Sequence, residues 1–271
     1  MTLLPVSDVV AADHFIPTSA GTLFARLWSP AGAPGQPTII LFHDSLGSVE
    51  LWRDFPERLA SATGLAVVAY DRLGFGRSDA NPVALKIDFM EEEARTSLPA
   101  LRAALGFDRF IPFGHSVGGA MAVCCAAAQP ESSVAVITES AQAFVEERTL
   151  AGIREAQTNF ADPAQVVRLA RYHGDKAAWV LSAWIDTWLA PDFADWSLDA
   201  PLARLKAPVL ALHGDKDEFG SPAHPQRIVD RSGAGGQQVL LPDCGHVPHR
   251  DQSAEVLQLI QAFVSERRSL S

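Results

Sequence analysis

The segment Gly114-His115-Ser116-Val117-Gly118 is the part of the chain best suited to covalent chemistry, because it matches the pattern G-x-S-x-G. The pentapeptide alone is weak evidence, since glycine and serine are common residues. Its context is more specific: residues 109–113 predict a strand that leads into it, and residues 117–128 predict a helix that leaves it. A serine between such elements lies on a tight turn above a sheet, with flanking glycines that keep side chains out of the turn. We therefore predict Ser116 as a nucleophile.

A serine hydroxyl becomes a strong nucleophile only when a base takes its proton and a third group orients that base. In a turn of this kind the acid and then the histidine follow the serine in the chain. His246 comes directly after the last predicted strand, and Asp217 lies three residues after the glycine that ends the strand before it. These two are the predicted base and acid. His249 is an alternative base, and Asp215 and Glu218 are alternative acids.

The other six histidines are interpreted as structural. Three are expected to form hydrogen bonds inside loops, namely His43, His115 and His213. The remaining three are interpreted as surface or cap residues, namely His14, His173 and His224.

Attack by a serine on a carbonyl produces an oxyanion, which backbone N–H groups can stabilise by a few kcal/mol each. One donor is expected to be the N–H of Val117, directly after the nucleophile. The other is expected from the loop that follows the third strand, residues 43–48, and its position favours the N–H of Ser45.

The elements that must position these residues alternate between strands and helices, which predicts an α/β fold. The strand predictions are continuous apolar runs, as in a parallel sheet covered on both faces. They span residues 22–28, 38–42, 65–70, 109–113, 134–138, 208–212 and 238–241. Helices are predicted at residues 88–105, 117–128, 223–230 and 253–267.

The alternation is interrupted by a stretch with helical patterns only, residues 142–202. The simplest interpretation is one α/β core, formed by residues 1–141 and 203–271, with a helical cap inserted after its sixth strand. Four of the six tryptophans fall in this insertion, and Trp184 and Trp188 share a helix face because they are four residues apart. Such residues can attach the cap to the core, cover an apolar pocket above Ser116, or do both.

Composition narrows the class of protein. The 271 residues carry a formal net charge of −10 with a pI near 5.2 and no basic run, which argues against binding to nucleic acid. The apolar stretches are interrupted by glycine, proline or charge, so no membrane span is expected. Residues 1–17 lack the basic start of a secretory signal, and three cysteines suit a reducing compartment. A cytoplasmic location is therefore expected.

With these residues identified, the chain resembles the α/β-hydrolase superfamily over nearly its whole length. Residues 43–48 (HDSLGS) are similar to the family's H-G-x-x-G-S oxyanion loop, residues 71–78 (DRLGFGRS) to its D-x-R-G-x-G-x-S loop, and residues 114–119 (GHSVGG) to its G-H-S-x-G-G elbow. The resemblance implies a mostly parallel sheet of eight strands flanked by helices. Two residues depart from these patterns, because Asp44 and Leu73 each stand where the family usually has glycine. Asp44 lies near the expected pocket mouth, where its side chain is expected to reshape the oxyanion hole or disfavour anionic substrates.

Within the superfamily, the middle of the chain is loosely similar to the biphenyl-hydrolase-like esterases, the valacyclovir-hydrolase group. That group has an acid directly after the nucleophile, associated with the α-amino group of amino-acid esters. Val117 occupies this position here, so the preference for amino-acid esters is not expected.

These observations predict a serine esterase for small to medium, largely apolar small-molecule esters. Ser116, His246 and Asp217 would form the catalytic triad, and Asp44, Trp184 and Trp188 would contribute to the substrate pocket. No cofactor or metal is expected, because the sequence has no H-E-x-x-H, C-x-x-C or phosphate-binding glycine loop. Alternatives are carbon–carbon bond hydrolysis, acyl transfer or perhydrolysis by the same residues, and a non-catalytic ligand-binding protein.

Overall fold

A single sheet of eight strands forms the centre of the molecule in the computed structural model, which describes residues 9–268. Residues 1–8 and 269–271 lie outside that range. They contain the start of the N-terminal stretch 1–17 and the outer ends of the two predicted core segments, 1–141 and 203–271. The strands are β1 (Val10–Thr18), β2 (Gly21–Ser29), β3 (Thr38–Phe42), β4 (Val67–Tyr70), β5 (Phe110–His115), β6 (Val136–Glu139), β7 (Val209–Gly214) and β8 (Gly236–Leu241).

Eleven α-helices are present in the described chain. They are α1 (Phe55–Thr63), α2 (Phe89–Arg95), α3 (Ser97–Leu105), α4 (Val117–Ala128), α5 (Glu147–Asn159), α6 (Pro163–His173), α7 (Ala177–Trp188), α8 (Asp199–Ala203), α9 (Ala223–Arg231), α10 (Pro248–Asp251) and α11 (Ser253–Arg268). None of the helices within residues 9–268 is both long enough and apolar enough to cross a membrane.

The strand order is β1-β2-β4-β3-β5-β6-β7-β8. Strands β1 and β2 pair antiparallel to their neighbours, and all later pairings are parallel. Every residue of β3 through β7 is buried, as expected for strands with helices on both faces. Because β3, β5, β6, β7 and β8 are parallel, the loops after them meet at one edge of the sheet. The eight-stranded, mostly parallel α/β fold is as expected.

Two elements differ from the pattern-based predictions. Strand β1 has no counterpart among the predicted strands, because it is an edge strand with largely exposed residues and no apolar run. The helix predicted over residues 88–105 is two helices that break at Thr96. Pro99 explains the break, since a proline in the middle of a continuous helix would lack an N–H donor and clash with the preceding turn. The helix therefore restarts at Ser97, with Pro99 in its first turn.

The segment between β6 and β7 contains α5, α6, α7 and α8 and, among the described residues, no strand. One side of this helical cap packs on the loop after β4: the indole of Trp179 lies against Gly74, where even a Cβ atom would come within 2.3 Å of it. At the other side Trp188 packs on Phe193, with ring centroids 5.2 Å apart, and Phe193 in turn lies 6.3 Å, ring to ring, from Phe89 of α2 in the core. The cap is thus held on the core at both sides.

Candidate active site

The turn between β5 and α4 places Ser116 in a strained conformation. Its backbone has φ 55° and ψ −127°, outside the regions that a serine normally adopts. A Cβ atom at Gly114 would lie 1.9 Å from the carbonyl oxygen of Gly118, and one at Gly118 would lie 2.1 Å from that of Phe42. Only glycine therefore fits on either side of the serine. The tight turn places the hydroxyl at the carboxyl edge of the sheet, as the G-x-S-x-G pattern predicts.

Three loops bring a hydroxyl, an imidazole and a carboxylate together at that edge. The Nε2 atom of His246, on the loop after β8, lies 3.1 Å from the Oγ atom of Ser116. Its Nδ1 atom lies 2.9 Å from both carboxylate oxygens of Asp217, on the loop after β7. The Asp217 Oδ1 atom also accepts the backbone N–H groups of Phe219 and Gly220, at 2.8 and 3.0 Å. The carboxylate is therefore fixed independently of the histidine.

These contacts define which nitrogen of His246 carries a proton. Burial raises the pKa of Asp217, but hydrogen bonding and charge interactions with His246 outweigh it and hold the pKa below its usual value. An ionised carboxylate only accepts hydrogen bonds, so the Nδ1 atom of His246 must be the donor. The Nε2 atom is then free to accept the proton of the Ser116 hydroxyl.

The alternative base and acids lie elsewhere. His249 is buried beside Glu139, whose carboxylate accepts both the backbone N–H of His249 and, at 2.7 Å, its Nδ1–H. Asp215 and Glu218 are exposed, and among the described residues Asp217 alone meets His246 with a carboxylate. Of the candidates that the sequence left open, His246 is the one in contact with Ser116, and Asp217 is the carboxylate in contact with His246.

The peptide that joins Asp44 to Ser45 is held in one orientation. The carbonyl oxygen of Asp44 accepts three hydrogen bonds, from the His43 ring at 2.8 Å, the Arg72 guanidinium at 3.1 Å and the Gly47 N–H at 3.2 Å. Because a trans peptide is planar, its N–H points away from its carbonyl. The Ser45 N–H is therefore directed away from these donors, and it has no acceptor among the described residues.

The second predicted donor belongs to Val117, the first residue of α4. The first N–H groups of a helix have no partner within the helix, and the positive end of the helix dipole lies beside them. Both Ser45 and Val117 thus supply N–H groups of the kind that an oxyanion requires.

A cavity of about 180 Å³ opens beside Ser116 and His246. The three predicted pocket residues, Asp44, Trp184 and Trp188, all line it. Its remaining walls come from the strand-end loops and from the cap: Ser45, Leu46, His115, Gln142, Thr149, Ile153, Phe219 and Val247. The surface that these residues present to the cavity is largely apolar.

Sequence reasoning missed Gln142 as a wall of this cavity. Its Oε1 atom lies 3.4 Å from the Ser116 hydroxyl oxygen, and the residue is 3% exposed. Gln142 belongs to no recognisable motif. The available signal was topological, because Gln142 follows β6, and β6 ends at the same sheet edge as the nucleophile.

Two histidines interpreted as surface or cap residues are buried. His173, the last residue of α6, accepts the Gly76 N–H through Nδ1 and donates to the Leu46 carbonyl through Nε2. His224, in α9, accepts the Ala143 N–H at 3.1 Å through Nδ1. Both join the cap or its first residues to the core, and such long-range pairing leaves no trace in local sequence. His43, His115 and His213 do form hydrogen bonds. Only His43 lies in a loop, however, because His115 ends β5 and His213 lies in β7.

One group of three metal-ligating residues occurs among those described, formed by His115, Glu139 and His249. Both oxygens of Glu139 accept hydrogen bonds from His249, and both ring nitrogens of His115 face oxygen acceptors. A cation would have to displace these interactions. We therefore assign the group to structure.

Comparison with known proteins agrees with this geometry. Residues 39–259 match the model of the alpha/beta hydrolase family. The chain is 26% identical to the human serine hydrolase BPHL, covering 85% of this chain and 80% of that protein. It is 22% identical to a proline iminopeptidase from Saccharolobus solfataricus, covering 77% and 78% of the two chains.

Solved structures show the same fold. A thermophilic esterase from Thermogutta terrifontis, solved with malate bound, superposes with a TM-score of 0.70 at 19% identity, covering 94% of this chain and 99% of that one. The family match extends over most of the chain, from β3 to α11, and includes the elbow and both of its partner loops. The protein is therefore a member of the alpha/beta hydrolase family.

Proposed function

We propose that this hydrolase is a serine esterase that cleaves small to medium, largely apolar esters through an acyl-enzyme on Ser116. The observation that carries the proposal is the continuous hydrogen-bonded series from Ser116 through His246 to Asp217, open to an apolar cavity. A hydrolase acting without a covalent intermediate would have no use for a strained serine in that position.

The chemistry follows from the positions of the protons. The Ser116 oxygen attacks the ester carbonyl carbon while its proton moves to Nε2 of His246, and Asp217 stabilises the resulting imidazolium. His246 then gives that proton to the leaving alkoxide, so an alcohol departs and the acyl group remains on Ser116. Water enters, loses a proton to His246 and attacks the acyl carbon. The acid is released, and the proton returns to the Ser116 oxygen.

The carbonyl oxygen becomes an anion in both halves of the reaction. We assign its stabilisation to the backbone N–H groups of Ser45 and Val117. Loss of one such donor from a comparable site lowers kcat by about 10² to 10³. Since both donors are backbone groups, changes at the side chains of these residues act on the reaction only through the shape of the loops.

Cavity size supports esters of modest dimensions. An engineered apolar cavity of about 150 Å³ holds a benzene molecule. The cavity beside Ser116, at about 180 Å³, therefore suits an acyl group of a few carbons or a single aromatic ring. Trp184, Ile153 and Phe219 provide the apolar walls for such a group.

The direct test is covalent labelling. A fluorophosphonate probe should label the wild-type protein, and Ser116→Ala should lose all labelling because the probe forms its bond with the activated oxygen. The exposed Ser61 in α1 provides a matched control, so Ser61→Ala should be labelled like the wild type. Equal labelling of Ser116→Ala would refute the assignment.

Relatives that are iminopeptidases raise a second candidate, cleavage of an N-terminal residue from a peptide. Such a substrate carries a cationic nitrogen and calls for an unpaired carboxylate near the serine. The carboxylate among the described cavity walls belongs to Asp44, and it is already paired with His115 at 3.3 Å. This pairing favours esters. Faster turnover of proline p-nitroanilide than of p-nitrophenyl butyrate would transfer the assignment to the peptidase.

A further inference from the structure

His115, the residue before the nucleophile, faces hydrogen-bond acceptors on both sides of its ring. Its Nε2 atom lies 2.7 Å from the backbone carbonyl oxygen of His246. Its Nδ1 atom lies 3.3 Å from the Oδ2 atom of Asp44. A neutral imidazole has one N–H group and can serve only one of these acceptors, whereas an imidazolium serves both. The ring is 2% exposed, so these two protein oxygens are its main hydrogen-bond partners.

The charged and titratable groups around this ring come from four elements. Asp44 lies on the loop after β3, Glu139 ends β6, and the rings of His246 and His249 both lie 5.1 Å from that of His115. Burial lowers the pKa of His115, but the hydrogen bond and charge of Asp44, with a further contribution from Glu139, raise it to about 9. The same pair holds the pKa of Asp44 below its usual value against the effect of burial.

We propose that Asp44 keeps His115 as a buried imidazolium, and that this ion pair positions the two loops that flank Ser116. On the oxyanion side, Asp44 is directly followed by the Ser45 N–H, and its Oδ1 atom also accepts the Leu46 N–H at 2.8 Å. On the other side, His115 holds the main chain of His246. The inference rests on the proposed function, because it assigns these residues a part in that reaction.

The acid of this pair departs from the family pattern. Asp44 stands where the oxyanion-loop pattern has glycine, and a glycine offers no carboxylate to balance a buried imidazolium. Both residues act through the loops they hold, so we describe them as positioning residues and not as catalytic ones.

Replacing the carboxylate by an amide tests the pair, because Asp44→Asn preserves shape and removes charge. At pH 8 the variant should lose about ten-fold in kcat, less than the loss of an oxyanion donor itself, with KM changed by less than about two-fold. The alkaline limit of the kcat profile, expected near pH 9 in the wild type, should move to lower pH. Asp215→Asn removes an exposed carboxylate from another strand-end loop and should change neither quantity.

Nitrogen NMR of protein labelled with ¹⁵N-histidine reads the protonation state of His115 without any turnover, and a His115→Gln sample assigns its signals. The wild type should show both ring nitrogens protonated at pH 8, and Asp44→Asn should show one. Asp44→Glu should restore the double protonation in part, which separates loss of charge from loss of folding.

The outcomes are distinct. A neutral His115 at pH 8 in an enzyme that hydrolyses esters overturns the ion pair and leaves the proposed function standing. An Asp44→Asn variant with wild-type kcat and pH profile overturns the positioning role. Labelling that survives Ser116→Ala overturns the proposed function, and the positioning role with it.

Discussion

Asp217 shows how one side chain can be fixed so that another carries out chemistry. Two backbone N–H groups and the His246 ring all donate to its carboxylate. The backbone donors occupy Oδ1 whatever the histidine does, so the carboxylate cannot rotate to follow it. This rigidity keeps the proton on the Nδ1 atom of the imidazole. The Nε2 atom can then accept the proton of the Ser116 hydroxyl.

Asp217→Asn should therefore lower kcat by about 10⁴, the loss seen when the same change is made in a serine protease triad. The Asn oxygen would keep the N–H groups of Phe219 and Gly220, and its NH₂ group would face Nδ1 of His246. The histidine would then carry its proton on Nε2 and could not accept one from Ser116. Steady-state kinetics measures the effect, and an unchanged melting temperature is the control. A loss below about ten-fold would contradict the assigned role.

At the scale of elements, helix α7 carries three tryptophans, and two of them, Trp184 and Trp188, line the cavity. Trp188 is 3% exposed and packs on Phe193, which contacts Phe89 of α2, so it belongs to the cluster that joins the cap to the core. Trp184 is only partly buried and lies 6.1 Å, ring to ring, from Phe219 across the cavity. Attachment of the cap and formation of the pocket wall thus both apply. Trp184 lines the cavity, and Trp188 lines it and also packs in the core cluster.

Trp184→Ala should widen the cavity and shift the preferred acyl length upwards. For p-nitrophenyl esters, the ratio of kcat/KM for octanoate to that for butyrate should rise about ten-fold, the scale on which apolar pockets discriminate added methylenes. Trp196→Ala is the matched control, because it removes the same ring from the same cap away from the cavity walls. It should lower stability and leave the ratio unchanged. An unaltered ratio in Trp184→Ala would remove this residue from the acyl pocket.

Features that depend on local sequence could be predicted, and features that depend on contacts between distant segments could not. The turn at Ser116 is local, and its glycines are demanded by contacts under about 2.2 Å, so a short pattern identifies it. Buried parallel strands are recognisable because both faces need apolar residues. Strand β1 could not be predicted in this way, because an edge strand does not need apolar residues on both faces. The Asp44–His115 pair and the place of Gln142 depend on which loops meet at the sheet edge, and local sequence does not encode that.

At the scale of the whole molecule, buried histidines should set how stability varies with pH. Burial is the largest influence on four of them and lowers their pKa: His43, His173, His213 and His224. The unfolded chain therefore binds protons more readily than the native protein near pH 6. His115 is opposite in sign, since its native pKa of about 9 exceeds the unfolded value near 6.5.

We expect the free energy of unfolding to be greatest near neutral pH and to fall on both sides. Below about pH 6.5 the protein loses stability, because the four histidines take up protons in the unfolded state more readily than in the native one. From pH 6.5 to 9 the stabilising contribution of His115, on the order of 3 kcal/mol, is lost as the native imidazolium releases its proton. Urea titrations followed by tryptophan fluorescence at pH 5.5, 7 and 9.5 measure this curve. His115→Gln should reduce the alkaline fall and leave the acid side intact; the fall that remains comes from the thiols of Cys124, Cys125 and Cys244, whose pKa burial raises in the native protein. A wild-type protein more stable at pH 9.5 than at pH 7 would contradict a buried imidazolium beside the nucleophile.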